Sequence, residues 1–120
     1  LITLQFMFFQ QSAGKLAFTA ADFQAGEWWR IFTANFVHSN AEHFLYNFIA
    51  LAILGYFLEP RIGSLHMLLL TAFSMCVEAW AWMQTASPDS SVVGFSGTLY
   101  AYYVILAYFF ILLDRFWGTV

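Results

Sequence analysis

The chain has 120 residues, of which 62% are apolar, 22% aromatic and only 9% charged. A soluble domain of this size carries about 25% charged residues, so water is a poor solvent for most of this surface. A net charge of −3 and an isoelectric point near 5.4 argue against nucleic-acid binding, which needs clustered Lys and Arg; Lys15, Arg30, Arg61 and Arg115 are scattered.

The first element, over residues 1–9, is apolar and reads as the tail of a membrane span. It lacks the basic flank of a signal peptide. The chain opens without an initiator methionine and stops just after a span, so we expect a partial domain over 1–120, truncated at both ends. Residues 10–42 follow as a long outer segment holding Phe18, Phe23, Trp28, Trp29, Phe32 and Phe36. Structureless loops beyond about 15 residues are uncommon, and Trp prefers the membrane interface. The segment is therefore expected to lie partly in the outer leaflet, its backbone tied together by the several donors of Arg30. A plain interfacial anchor is the alternative.

Three spans come next. Residues 43–58 are apolar apart from their first turn, residues 64–83 carry only His66 and Glu78 as ionisable groups, and residues 94–113 contain no charge. Runs near 20 residues match a hydrocarbon core of roughly 30 Å. The expected fold is all-α, a multi-pass transmembrane helical bundle without a separate soluble domain. Cys76 is alone, so no internal disulfide can form, and it reads as a small core residue.

The breaks at 59–63 and after 113 each carry an arginine, Arg61 and Arg115, whereas the break at 84–93 carries Asp89 and no cation. The positive-inside tendency puts the first two in the cytoplasm and the third outside, with Lys15 and Arg30 as counter-indications. His43 and Ser96 then share the outer end of the bundle. His66 falls roughly 25 Å below the outer end of its span, out of reach of Ser96.

His43 and Asn47 are spaced i, i+4 and lie on one helical face. Alone they read as helix–helix glue. Ser96, in Gly94-Phe95-Ser96-Gly97, has its own modest readings, as an N-cap or as a hydroxyl bonded to its own helix. Thr98 stands where the soluble G-x-S-x-G elbow has glycine, and no strand precedes it, so an α/β-hydrolase is rejected. Together these residues suit nucleophilic chemistry. First-turn N–H groups have no intrahelical acceptor and can stabilise an oxyanion, glycines allow close approach, and Tyr100 follows Ser96 by one turn. The serine still needs a general base.

WWRIFTANFVHSNAEHFLYN, then EPRIGS, then GFSGTLY strongly resemble the rhomboid intramembrane serine proteases. The resemblance carries Trp29-Arg30 onto the family's outer-loop motif, His43-x-x-x-Asn47 onto its second helix and Gly94-Phe95-Ser96-Gly97 onto its fourth. It implies that the chain covers roughly helices 1–4. It implies Ser96 as nucleophile, and an oxyanion site formed by the Ser96 backbone N–H with the side chains of His43 and Asn47. Gly94 and Gly97 would shape the site, Tyr100 would pack on the base, and Trp29 and Arg30 would order the loop. It also implies no metal or cofactor, and transmembrane protein substrates cut near the membrane surface through a Ser–His dyad.

The family's base is a histidine on a sixth helix, whereas the histidines here are His38, His43 and His66. The base is thus expected outside this chain, and the 120 residues alone are expected to be inactive. His38 reads as a structural loop residue, and a dyad with Lys15 is disfavoured by its distance along the chain. The alternatives are a rhomboid-like pseudoprotease that binds membrane clients without cleaving them, and a transporter or structural bundle.

Overall fold

The protein is described by a computed structural model over residues 13–113; the apolar start at 1–9 and the Asp114-Arg115 pair lie outside the described residues. Within that range the chain is helical. Four short elements, α1 (Ala13–Leu16), α2 (Ala20–Gln24), α3 (Arg30–Thr33) and a 3-10 turn (Ala34–Phe36), precede three long ones: α4 (Ala41–Ile62), α5 (Ser64–Thr85) and α6 (Ser96–Tyr108). A π turn at Phe109–Leu113 continues α6.

Helix α4 starts where local chemistry dictates. The side chain of Asn40 accepts the His43 N–H at 2.8 Å, and Glu42 places negative charge at the positive end of the helix. The expected break at 59–63 is much shorter than anticipated. Pro60 sits inside the last turn of α4, where a missing N–H costs only one bond. The Arg61 guanidinium donates to the Phe57 carbonyl at 2.5 Å. Only Gly63, at φ 82°, leaves the helical region, and α5 begins at the next residue. A left-handed φ is cheap for glycine alone, so one residue carries the reversal.

At 22 residues each, α4 and α5 are about 33 Å long. Only 17% of the most apolar window of either is buried. Helices apolar all round with so little protein covering them match lipid as the surrounding medium. Their hydroxyls turn inward on the backbone: Thr71 donates to the Met67 carbonyl at 2.7 Å and Ser74 to the Leu70 carbonyl at 2.8 Å, which satisfies them without water. Cys76 is exposed on this surface, which corrects its reading as a core residue: it falls on the uncovered face of α5.

Helix α6 packs against both neighbours. Leu54 and Leu58 from α4, Met75 from α5, and Leu99 and Tyr102 from α6 form the main buried cluster with Phe95. A second cluster, Phe18, Ala34 and Ala79, anchors the outer segment. The segment is pinned to the α5–α6 connection by a single antiparallel bridge between Phe18 and Val92, by Ala21 N–H to the Pro88 carbonyl at 3.1 Å, and by Gly94 N–H to the Ala34 carbonyl at 2.9 Å. These bonds set the height of the loop that precedes Ser96.

Candidate active site

The span expected at 94–113 becomes helical only at Ser96. Gly94 has φ 99°, a conformation that side chains with a Cβ rarely adopt, and it turns the chain into α6. A Cβ built on Gly94 would stand 2.7 Å from Cε1 and 3.0 Å from Nε2 of His43, and 3.5 Å from Nδ2 of Asn47. The loop before the serine therefore lies directly on the His43–Asn47 face of α4, and only a glycine fits between them.

Asn47 is buried, and its Nδ2 has no partner among the described residues. A buried donor left unpaired costs free energy comparable to a lost hydrogen bond, and this one stands beside Gly94. His43 is better supported. Its Nδ1 lies 3.2 Å from the Ser39 hydroxyl; a hydroxyl donating there leaves the ring proton on Nε2, the nitrogen that faces Gly94. Ser96 lines an open crevice of about 380 Å³ between α4 and α6, together with Asn47, Ala50, Leu99 and Tyr100. Tyr100 is 71% exposed and forms part of the crevice wall one turn below the serine.

The other histidines divide as follows. His38 is 5% exposed and its ring packs edge-on against His43, with centroids 5.1 Å apart, and against Phe44 at 5.3 Å. Burial and the neighbouring His43 hold its imidazole below the ordinary histidine value, against a smaller upward pull from the Phe36 backbone. His66 is exposed near the opposite end of α5, where it borders a crevice with Ile62 and Phe109. Lys15 stays at the surface.

Arg30 is buried in the outer segment. It donates to the carbonyls of Gly14 at 3.1 Å and Ala17 at 3.0 Å, pairs with Glu27 and stands 3.4 Å from the Asp22 carboxylate. Trp29 precedes the same helix without a side-chain cap bond; it is 44% exposed, its ring edge-on to Trp28 at 6.3 Å.

The family model described as Rhomboid domain matches residues 25–119. The chain belongs to the rhomboid family. Among curated proteins none matches it. Membership fixes the reading of the bare helical surfaces: this rhomboid is an integral membrane protein, a helical bundle in a lipid bilayer.

Glu78, the one carboxylate within the apolar run 64–83, has a specific neighbour in the fold. Its carboxyl lies against Gly97, so closely that a Cβ added there would overlap it. The only signal in the sequence was a carboxylate inside an apolar span, whose depth relative to Gly97 depends on how α5 and α6 pack.

Proposed function

We propose that this rhomboid is an intramembrane serine endopeptidase that cleaves transmembrane segments of other membrane proteins, with Ser96 as nucleophile. The observation that carries the reading is the contact of Gly94 with both His43 and Asn47. It joins two motifs of the resemblance, His43-x-x-x-Asn47 and Gly94-Phe95-Ser96-Gly97, beside the start of α6.

The chemistry follows from the donors collected there. Ser96 Oγ attacks the carbonyl carbon of the scissile amide, and the carbonyl oxygen becomes an oxyanion. The first-turn N–H of Ser96, Nδ2 of Asn47 and Nε2 of His43 stabilise that charge, because donors fixed before the reaction need no reorganisation during it. The serine proton passes to a histidine base, which the resemblance assigns to a later helix outside these 120 residues. The same base then protonates the leaving amine. The open crevice between α4 and α6 brings Asn47 and Ser96 to one surface, where a substrate segment would bind. The site faces the extracytoplasmic side, following the charge asymmetry of the connecting segments.

The test is cleavage of a transmembrane substrate by the full-length protein with Ser96→Ala beside wild type. Abolished cleavage with the fold retained is expected; unchanged cleavage refutes the nucleophile. His43→Ala is expected to slow cleavage by about 10²–10³, the loss typical of an oxyanion donor. Clients that bind wild type and Ser96→Ala equally, with no cleavage by either, would identify a pseudoprotease.

A further inference from the structure

The connector that leads into α4 holds His43 through three successive residues, His38, Ser39 and Asn40. The His38 ring stands edge-on to the imidazole, with centroids 5.1 Å apart, and is itself buried and backed by Phe44. The Asn40 side chain accepts the His43 backbone N–H. Between them in the chain, the Ser39 hydroxyl lies 3.2 Å from Nδ1 of the ring. The cap fixes the backbone of His43, and the His38 ring limits how far the imidazole can swing. The serine is the one of the three whose hydrogen bond reaches a ring nitrogen.

That bond bears on the place of a proton. A neutral imidazole carries one, on Nδ1 or on Nε2, and the partner of one nitrogen decides the state of the other. Nε2 is on the Gly94 side, 3.0 Å from where a Cβ on that glycine would stand. With the proton on Nε2, His43 joins Nδ2 of Asn47 as a second donor beside Gly94. With the proton on Nδ1, a bare lone pair faces the same place and repels an anion. A hydroxyl at Nδ1 suits the first arrangement whatever the charge of the ring. It donates to the lone pair of the neutral form and accepts from the Nδ1–H of the cation, and Nε2 keeps its proton in both. A carboxylate in that position only accepts, and would draw the proton of the neutral ring to Nδ1.

We propose that Ser39 is a positioning residue for His43: its hydroxyl donates to Nδ1 and thereby keeps a proton on Nε2, toward Gly94 and the developing oxyanion. The tautomer follows from the connector; its effect on reactivity rests on the reading of Ser96 as nucleophile and His43 as oxyanion donor.

The experiment uses the full-length protein in lipid nanodiscs at about pH 9, where ordinary imidazoles are neutral. Two quantities are read: the ring-nitrogen NMR resonances of His43, assigned by their absence from His43→Gln, and the rate at which a fluorophosphonate labels Ser96. Wild type is expected to show a protonated Nε2 and a hydrogen-bonded, unprotonated Nδ1. Ser39→Thr retains the hydroxyl and is expected to match wild type within about twofold. Ser39→Ala is expected to give a mixture of tautomers and to label about fivefold more slowly, the worth of one neutral hydrogen bond. Ser39→Asp is expected to move the proton to Nδ1 and to slow labelling by about 10²–10³, the loss typical of a missing oxyanion donor.

A wild-type ring protonated on Nδ1, or a tautomer that Ser39→Ala and Ser39→Asp leave unchanged, overturns the assignment. A tautomer that moves in Ser39→Asp while labelling holds overturns the positioning role. Wild type that resists the probe while the ring resonances behave as expected overturns the nucleophile reading and leaves the Ser39–His43 pair standing.

Discussion

Gly94 faces His43 so closely that an added Cβ would lie 2.7 Å from Cε1 of the imidazole. The same residue has φ 99°, so two independent constraints select glycine. Gly94→Ala is expected to cost about 1–3 kcal/mol from backbone strain alone. It should also displace the His43 ring, lowering the labelling of Ser96 by a serine-directed probe. Unfolding in mixed micelles measures the first effect and labelling rate the second; an alanine variant as stable as wild type would contradict the geometry.

Arg30 organises the outer segment through two backbone carbonyls and two carboxylates. Arg30→Ala removes the donors to Gly14, Ala17 and Glu27, leaves Asp22 with the Thr19 hydroxyl, and is expected to cost about 3 kcal/mol. Arg30→Lys restores charge but not the planar fork, so it should recover only part of the stability. Limited proteolysis between Gly14 and Glu27 provides the check, with faster cutting expected in the order wild type, Lys, Ala.

The His38 imidazole, buried against His43, has its proton affinity lowered by folding. The unfolded chain then binds a proton more readily than the folded one. Stability contributed by neutral His38 is full above the unfolded value of about 6.5 and declines as the pH falls below it. Unfolding of His38→Gln should accordingly depend less on pH between 7.5 and 5 than that of wild type. Parallel curves for the two proteins would show that His38 takes its proton as easily folded as unfolded.

Thr71 uses its one hydroxyl proton on the Met67 carbonyl, so the bond between Thr71 and Tyr102 has the tyrosine as donor. This bond ties α5 to α6 inside the bundle. Tyr102→Phe is expected to lower stability by about 0.5–1.5 kcal/mol, the worth of an interhelical bond in lipid. Ser96 labelling should stay within about twofold, because the hydroxyl belongs to the packing of the helices and not to the crevice wall. A larger drop in labelling would connect Tyr102 to the site.

Much of the architecture was legible in the chain itself. Uncharged runs of about membrane length, separated by short polar breaks, admit few arrangements, since backbone polar groups in lipid must be paired within helices. The i, i+4 spacing of His43 and Asn47 also carries over directly, because a helix fixes that relation locally. Boundaries were less legible. The pattern treated Glu59-Pro60-Arg61 as a break, but a proline in a last turn costs one bond, and the chain reverses at Gly63 alone. The apolar span starts at Gly94, but α6 starts at Ser96, and the Gly94 N–H bonds the Ala34 carbonyl instead.

By itself, then, the sequence determined the solvent, the helical class, the family motifs and the residue types that meet beside the start of α6. Composition and local spacing are enough for these, since each depends on a single segment. The tertiary structure alone decided that Gly94 lies on His43 and Asn47, that His38 backs His43, and that the Glu78 carboxyl occupies the space beside Gly97. Each of those contacts joins segments whose relative depth and rotation are set by helix packing, and no periodicity within one segment encodes that.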